Sequence, residues 1–135
     1  MATNYLALDV GRARIGLALA NDIARIASPL PALSNDENIL ATLESLVNEN
    51  GIETLVVGLP RNLSGEDTEQ TQYVRDFIAL IEERLDTTVV TQDEAVTSVK
   101  AEAELKQRGK PYEKGDIDSL SAVYILEDFI TEAVH

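Results

Sequence analysis

The chain has no cysteine and a single histidine among its 135 residues, and these shortages exclude several kinds of chemistry. Without cysteine there are no disulfides, no thiolate metal ligands and no thiol nucleophile. The histidine, His135, is the last residue of the sequence, which makes it a poor candidate for a general base or a zinc ligand. Tryptophan is absent and aromatic residues make up 4% of the chain, so the core must consist mainly of Leu, Ile, Val and Ala.

Long apolar segments are missing as well. No run approaches the roughly 20 apolar residues that span a membrane. The first residues lack the basic and apolar regions of a secretory signal. We therefore expect a cytoplasmic protein with no membrane partner. The length is that of one domain, and we expect residues 1–135 to form a single unit.

Basic residues are few, since 11 Lys and Arg stand against 24 Asp and Glu and give a net charge of −13. This balance argues against a general nucleic-acid-binding surface, because phosphate contacts usually require Lys and Arg. The basic residues are nevertheless concentrated. One group lies in a single stretch and another in loops beside strand ends: Lys100, Lys106, Arg108, Lys110 and Lys114, then Arg12, Arg14 and Arg61. Lys110, between Gly109 and Pro111, lies in a predicted substrate-contacting loop.

The apolar pattern predicts three strands with no helix between them. They cover residues 5–10, 15–20 and, more weakly, 25–28, where Pro29 and Pro31 are expected to stop the third strand. A helix follows, with Ser34 and Glu37 as its predicted capping box and Gly51 as its end.

The rest of the chain alternates strands with helices. Strands are predicted at 54–59 and 88–91, and helices after the loop 61–67, at about 97–108, and from about 117 to near the C-terminus, with a loop at 109–115. This order predicts an α/β fold with a mixed five-stranded sheet, antiparallel in its first three strands and then parallel, flanked by helices.

Acidic residues occupy several positions where apolar residues would be expected. Asp9 lies within an apolar strand, where an unpaired carboxylate would cost several kcal/mol. Asp118 shares a helix face with apolar residues, although it could also serve as an acid at the helix N-terminus, a role that Asp116 could fill instead. Asp93 and Glu94 follow a β-branched strand and could equally end it in solvent.

Taken together, these acids suit a carboxylate cluster that holds one or two Mg²⁺ or Mn²⁺ ions. Such ions activate water and stabilise the leaving oxygen of a phosphodiester. This chemistry requires no protein nucleophile, which agrees with a chain that has no cysteine and no internal histidine.

Several short segments of the chain resemble the YqgF/RuvX-type proteins of the RNase H-like superfamily. The similar segments occur in the same order and span nearly the whole chain: Leu8-Asp9-Val10-Gly11, Arg14 to Ala18, Asn21-Asp22, Val57-Gly58-Leu59-Pro60, Gly65, Asp93 to Ser98 and Ile117 to Ala122. At one position the chain departs from the family motif, because Ala95 stands where the family has an arginine.

The resemblance implies an RNase H-like nuclease of the bacterial cytoplasm that processes the 5′ end of pre-16S rRNA. Its catalytic, metal-binding acids would be Asp9, Glu94 and Asp118, with Mg²⁺ or Mn²⁺ as cofactor and the role of Asp93 undecided. From their positions, we expect Arg14 and Arg61 to contact substrate phosphates.

Three alternatives remain open at the level of sequence. The family has also been described as Holliday-junction resolvases, which would act as two-fold dimers, and the sequence does not distinguish a monomer from a homodimer. A catalytically weak nucleic-acid-binding module would keep the fold without efficient cleavage. The Asp-x-Gly turn also occurs in actin-like and sugar-kinase ATPases, but these need two domains and a cleft between them.

Overall fold

The computed structural model describes residues 2–94 and 97–133, which form one five-stranded sheet with helices on both faces. The strands lie in the order β3-β2-β1-β4-β5. Their bounds are β1 Asn4–Val10, β2 Arg14–Asn21, β3 Ser28–Ser34, β4 Ile52–Pro60 and β5 Thr88–Glu94. The pairs β1–β2 and β2–β3 are antiparallel, whereas β1–β4 and β4–β5 are parallel. The predicted mixed sheet is confirmed.

Four helices are present in the described part of the chain: α1 Ile39–Glu49, α2 Glu69–Arg84, α3 Thr97–Arg108 and α4 Lys114–Ala133. Helices α1 and α2 pack on one face of the sheet, and α3 and α4 pack on the other. None of the helices described here is long and apolar enough to cross a membrane.

Strand β1 is buried on both faces, and its alternation decides where its acid points. Leu6 and Leu8 pack in the core beneath α1 and α2, whereas Tyr5 and Ala7 pack beneath α3 and α4. Side chains two residues apart on a strand share a face. Asp9 therefore faces α4, at the carboxyl end of the strand.

A glycine opposite Asp9 lets α4 approach the sheet closely. Gly16 of β2 is the register partner of Asp9. A Cβ added to Gly16 would lie 1.9 Å from the backbone oxygen of Asp118 and 2.8 Å from the nitrogen of Ser119. Only a residue without a side chain allows this contact, so Gly16 fixes α4 where Asp118 stands beside Asp9.

The predicted third strand was wrong in position. Residues 25–28 were expected to form it and the two prolines to stop it, but β3 begins at Ser28 and contains both Pro29 and Pro31. Because β3 is an edge strand paired only with β2, a residue without an N–H is tolerated there. Before it, Arg25 adopts a left-handed φ of 55° in the connecting turn.

The predicted capping box of the first helix was also wrong. Ser34 ends β3, and α1 starts after Asn38, which makes no side-chain cap hydrogen bond. The predicted end is confirmed, because Gly51 directly follows the helix C-cap with a φ of 58°.

The last helix starts earlier than predicted, at Lys114 instead of about residue 117. Asp116 accepts a hydrogen bond from the Glu113 N–H at 2.8 Å. Asp116 thus fills the N-terminal role that the sequence left open between two acids. Asp118 lies in the second turn, where its side chain is available to the site.

Candidate active site

A cavity of about 310 Å³ lies at the carboxyl ends of β1, β4 and β5. Three acids predicted from the sequence line it together, as does Arg61: the acids are Asp9, Glu94 and Asp118. The remaining wall consists of Val10, Gly11, Gly58, Pro60, Gln70, Val99 and Ile125. The carboxyl ends of parallel strands are a common place for active sites, because loops and helix ends meet there.

Asp9 lies deepest in this group of acids. The pKa of its carboxyl is raised from 3.8 to about 7, mainly by burial and secondarily by the nearby charge of Asp118. The hydroxyl of Ser121 acts in the opposite direction and lowers the pKa. The Ser121 Oγ is itself buried and has no well-formed hydrogen bond. Asp9 is therefore a carboxylate that needs a positive partner.

Asp118 has such a partner in Arg14. The Arg14 Nε donates to the Asp118 Oδ2 at 2.7 Å, which joins the first residue of β2 to the second turn of α4. The pair is partly exposed, with 38% of the Arg14 side chain and 21% of the Asp118 side chain accessible. Arg14 offsets part of the repulsion between the two aspartates and fixes the orientation of Asp118.

Glu94 lies on another wall of the cavity. Its pKa is raised well above the usual range, mainly by burial and then by the hydrogen bond and charge of Asp128, with a further contribution from Glu132. Lys100 lowers it. The Glu94 Oε1 is buried without a hydrogen-bond partner. Asp93, the adjacent acid, is exposed and contacts Arg61 at 3.5 Å, so the two acids point different ways.

Two residues near these acids were missed from the sequence. Ser121 lies beside Asp9 and Asp128 beside Glu94, and both belong to α4. With Asp118 and Ile125 they form a series spaced by three, four and three residues, which is one helix face. This spacing is a signal in the sequence that could have identified them.

The other predicted substrate residues lie at different places. Arg61 is engaged by two carboxylates, those of Asp67 and Asp93, while its Nε is buried and has no partner. Lys110 does not line the active-site cavity. It lines a separate cavity of about 820 Å³, which also includes Arg14 and Arg108. Ala95 lies outside the described residues.

The residues present fit a divalent cation, although three acids are not gathered at one point. Among residues 2–94 and 97–133, no group of three acidic or histidine side chains is close enough to hold one ion. Asp9 and Asp118 form the close pair, and Glu94, whose Oε1 is buried without a hydrogen-bond partner, lines the same cavity. All these donors are oxygens, which Mg²⁺ and Mn²⁺ prefer, and a cation would relieve the repulsion that raises the pKa of Asp9.

The chain is an α/β protein of the RNase H-like class. Its mixed sheet brings an acid from β1 together with an acid from the last helix. Solved structures agree with this fold. The structure titled "T. thermophilus RuvC in complex with Holliday junction substrate" matches 98% of this chain and 98% of its own, with a TM-score of 0.59 and 14% identity. A second Thermus thermophilus RuvC structure matches with a TM-score of 0.55 and 13% identity.

The chain belongs to the RuvX family. The family profile, described as Holliday junction resolvase, matches residues 3–132. A relative from Sulfurihydrogenibium sp. is 37% identical over 130 residues, covering 95% of this chain and 90% of the relative. Another from Chloroflexus aurantiacus is 40% identical over 129 residues, covering 93% and 84%. Both relatives carry the name "Putative pre-16S rRNA nuclease".

Proposed function

We propose that this protein is a divalent-metal-dependent endonuclease that acts on structured RNA and processes the 5′ end of pre-16S rRNA. The observation that carries the proposal is the close pair of Asp9 and Asp118 in a cavity that Glu94 also lines. The names of the RuvX-family relatives support the RNA substrate. Residues 1–135 would act as one nuclease domain in the cytoplasm, as a monomer or a homodimer.

The acids would hold Mg²⁺ or Mn²⁺ at this site. The bound metal supplies activation of water and stabilisation of the leaving oxygen. Asp9 and Asp118 provide the central pair of carboxylates, and Glu94 provides an oxygen from the β5 side. Arg14 keeps Asp118 in place through the 2.7 Å bond, so that the carboxylates are oriented before the substrate arrives.

Substrate contacts would come from Arg14, Arg61 and Lys110. Arg14 lines the larger cavity and bonds an acid of the smaller one, so it lies between the two. Lys110 and Arg14 together would lead the nucleic-acid backbone from the larger cavity toward the acids. Arg61 lines the active-site cavity, where its engagement by two carboxylates fixes its guanidinium.

The proposal is tested by cleavage of two labelled substrates. One is an RNA that contains the 5′ end of 16S rRNA and its flanking leader, and the other is a four-way DNA junction. We expect the RNA to be cut with Mn²⁺ or Mg²⁺ and to remain intact in EDTA, because the carboxylates require the ion to act on a phosphodiester. Absence of cleavage by protein shown to be folded would contradict the proposed nuclease activity and favour the alternative of a catalytically weak nucleic-acid-binding module.

A second candidate function is resolution of Holliday junctions. It is favoured by the description of the family profile and by the fold shared with RuvC. A resolvase should cut the four-way junction at two symmetric positions. Paired junction cuts, with the RNA left intact in the same experiment, would select this function.

The Arg14–Asp118 pair permits a separate prediction. Replacing Arg14 with alanine should weaken RNA binding roughly tenfold, because the partly exposed guanidinium is lost from the junction of the two cavities. Stability should change by about 1 kcal/mol or less, as for exposed pairs. We expect Mn²⁺ to raise the Tm of this variant as it raises that of wild type, since Asp9 and Asp118 both remain. An unchanged Kd for RNA would exclude Arg14 from substrate binding.

A further inference from the structure

Arg12 lies at the tip of the turn between β1 and β2, next to the active-site cavity. It follows Gly11, whose backbone lines that cavity. The guanidinium carbon of Arg12 lies 4.4 Å from the ring centroid of Tyr73, on α2. Gln70, one helical turn before Tyr73, lines the cavity and donates to the Val10 carbonyl oxygen at 3.0 Å. The helix that carries the ring beneath Arg12 therefore also forms part of the cavity wall.

The platform beneath Arg12 is fixed by one asparagine. The Asn35 Nδ2 donates to the Tyr73 hydroxyl at 3.0 Å and to the Gly11 carbonyl oxygen at 2.8 Å. The Asn35 backbone N–H also donates to the carbonyl oxygen of Ala13 at 2.9 Å. Both ends of the turn and the aromatic ring are thus held by the same residue. A side chain stacked on this ring loses less freedom when it binds a ligand.

The guanidinium of Arg12 has different surroundings from those of Arg14 and Arg61. Arg14 is paired with Asp118, and Arg61 is engaged by two carboxylates. Within ranges 2–94 and 97–133, by contrast, Arg12 forms no ion pair and its residue is exposed. In a chain of net charge −13, Arg12 is therefore an exposed cation that stacks on Tyr73 and adjoins Gly11 of the acid-lined cavity, where it is available to an anionic ligand.

We infer that Arg12, stacked on Tyr73, binds a backbone phosphate of the nucleic acid next to the bond being cut. A guanidinium presents several N–H donors in a planar fork that matches two phosphate oxygens, and stacking leaves these edges open. The contact also offsets the repulsion between the substrate and the acidic site. This inference rests on the proposed nuclease function and adds a phosphate site to it, with Tyr73 as the residue that positions Arg12.

The test is the binding of a fluorescein-labelled RNA hairpin with a single-stranded 5′ extension. Fluorescence anisotropy in EDTA, at salt concentrations of about 50 to 200 mM, avoids cleavage during the measurement. Arg12→Ala should weaken binding roughly fivefold to tenfold at the lowest salt. It should also reduce the slope of log K against log salt by about 1, as expected for one lost phosphate contact.

Variants of the platform separate a positioned guanidinium from a general loss of charge. Tyr73→Leu keeps every charge but removes the ring, and should reproduce most of the effect of Arg12→Ala. Tyr73→Phe keeps the ring and should bind more tightly than Tyr73→Leu. Arg84→Ala is the matched control, because it removes the same charge from an arginine paired with Glu44 at 3.5 Å.

The outcomes distinguish the inference from the function beneath it. If wild-type protein binds and cuts RNA while Arg12→Ala binds like Arg84→Ala, the Arg12 site is wrong and the nuclease function stands. If Tyr73→Leu binds like wild type while Arg12→Ala is weakened, the positioning role of the ring is overturned. If wild-type protein neither binds nor cuts the RNA, both the function and the inference are overturned.

Discussion

Replacing Asp9 with asparagine is expected to reduce metal-dependent cleavage by roughly 10³-fold, the scale seen when a central electrostatic contact is removed from an active site. Asparagine keeps the shape of the side chain but removes one negative charge from the pair with Asp118. The measurement is the single-turnover rate of RNA cleavage in Mn²⁺. Asp86→Asn is the control, since Asp86 is exposed and precedes β5, at the opposite end of that strand from Glu94.

The same substitution should raise the stability of the metal-free protein. The pKa of Asp9 is about 7 in the folded state and 3.8 for the unperturbed group, so the protonated form favours folding. This contribution is fully present below about pH 4 and is lost as the pH rises through 7. The difference between the two pKa values corresponds to a change of about 4 kcal/mol at most in the free energy of unfolding.

Urea denaturation in EDTA checks this result at pH 5 and pH 8. The variant should be more stable than wild type at pH 8, and the gap should narrow at pH 5. A variant that cleaves like wild type would exclude Asp9 from the mechanism. A variant that is inactive and also less stable at pH 8 would contradict the burial of an unneutralised carboxylate.

Replacing Gly16 with alanine should cause the largest loss of stability, about 3 kcal/mol or more. The new Cβ would fall 1.9 Å from the Asp118 backbone oxygen, and neither atom can rotate away, because the backbone of β2 fixes the Cβ and the backbone of α4 fixes the oxygen. Helix α4 must therefore shift from β2, which moves Asp118 away from Asp9. Urea denaturation and the Mn²⁺-induced increase in Tm measure the two consequences, and both the stability and the metal response should fall.

Gly115→Ala provides the control for this prediction. Gly115 is also in contact with another element, but its added Cβ would lie 3.4 Å from the Ala32 Cβ, at the edge of ordinary contact. The control should stay within about 1 kcal/mol of wild type, since alanine is also favoured over glycine in a helix. A Gly16→Ala protein as stable as this control would contradict the close packing of α4 on the sheet.

The sequence predicted the acids of the site better than it predicted the ends of the elements. Asp9 stands out because it is an acid within the apolar strand β1. The alternation and burial of side chains in such a strand do not depend on the fold that contains it. Asp118 stands out because Ala122, Ile125 and Phe129, which follow it at helical spacing, are apolar. Both arguments depend on local periodicity, and the structure brings both residues to one cavity.

The errors arise where tertiary position overrides local preference. Pro29 and Pro31 predict a break unless the strand is known to lie at the edge of the sheet. Ser34 has the chemistry of a helix cap but is the last residue of β3. The residues alone left the choice between Asp93 and Glu94 open, because the sequence does not give the register of β5, and the resemblance to the family selected Glu94. In the structure, Glu94 shares a face with Val90, beneath α4.

The prolines of β3 also make the two borders of the sheet unequal as templates for another strand. Two of the seven residues of β3 have no N–H to donate, so that border is poorly suited to sheet extension. The border formed by β5 contains no proline and ends at Glu94. A foreign strand that added to this sheet would therefore bind along β5 and end beside the proposed active site, so aggregation by this route would also obstruct the substrate.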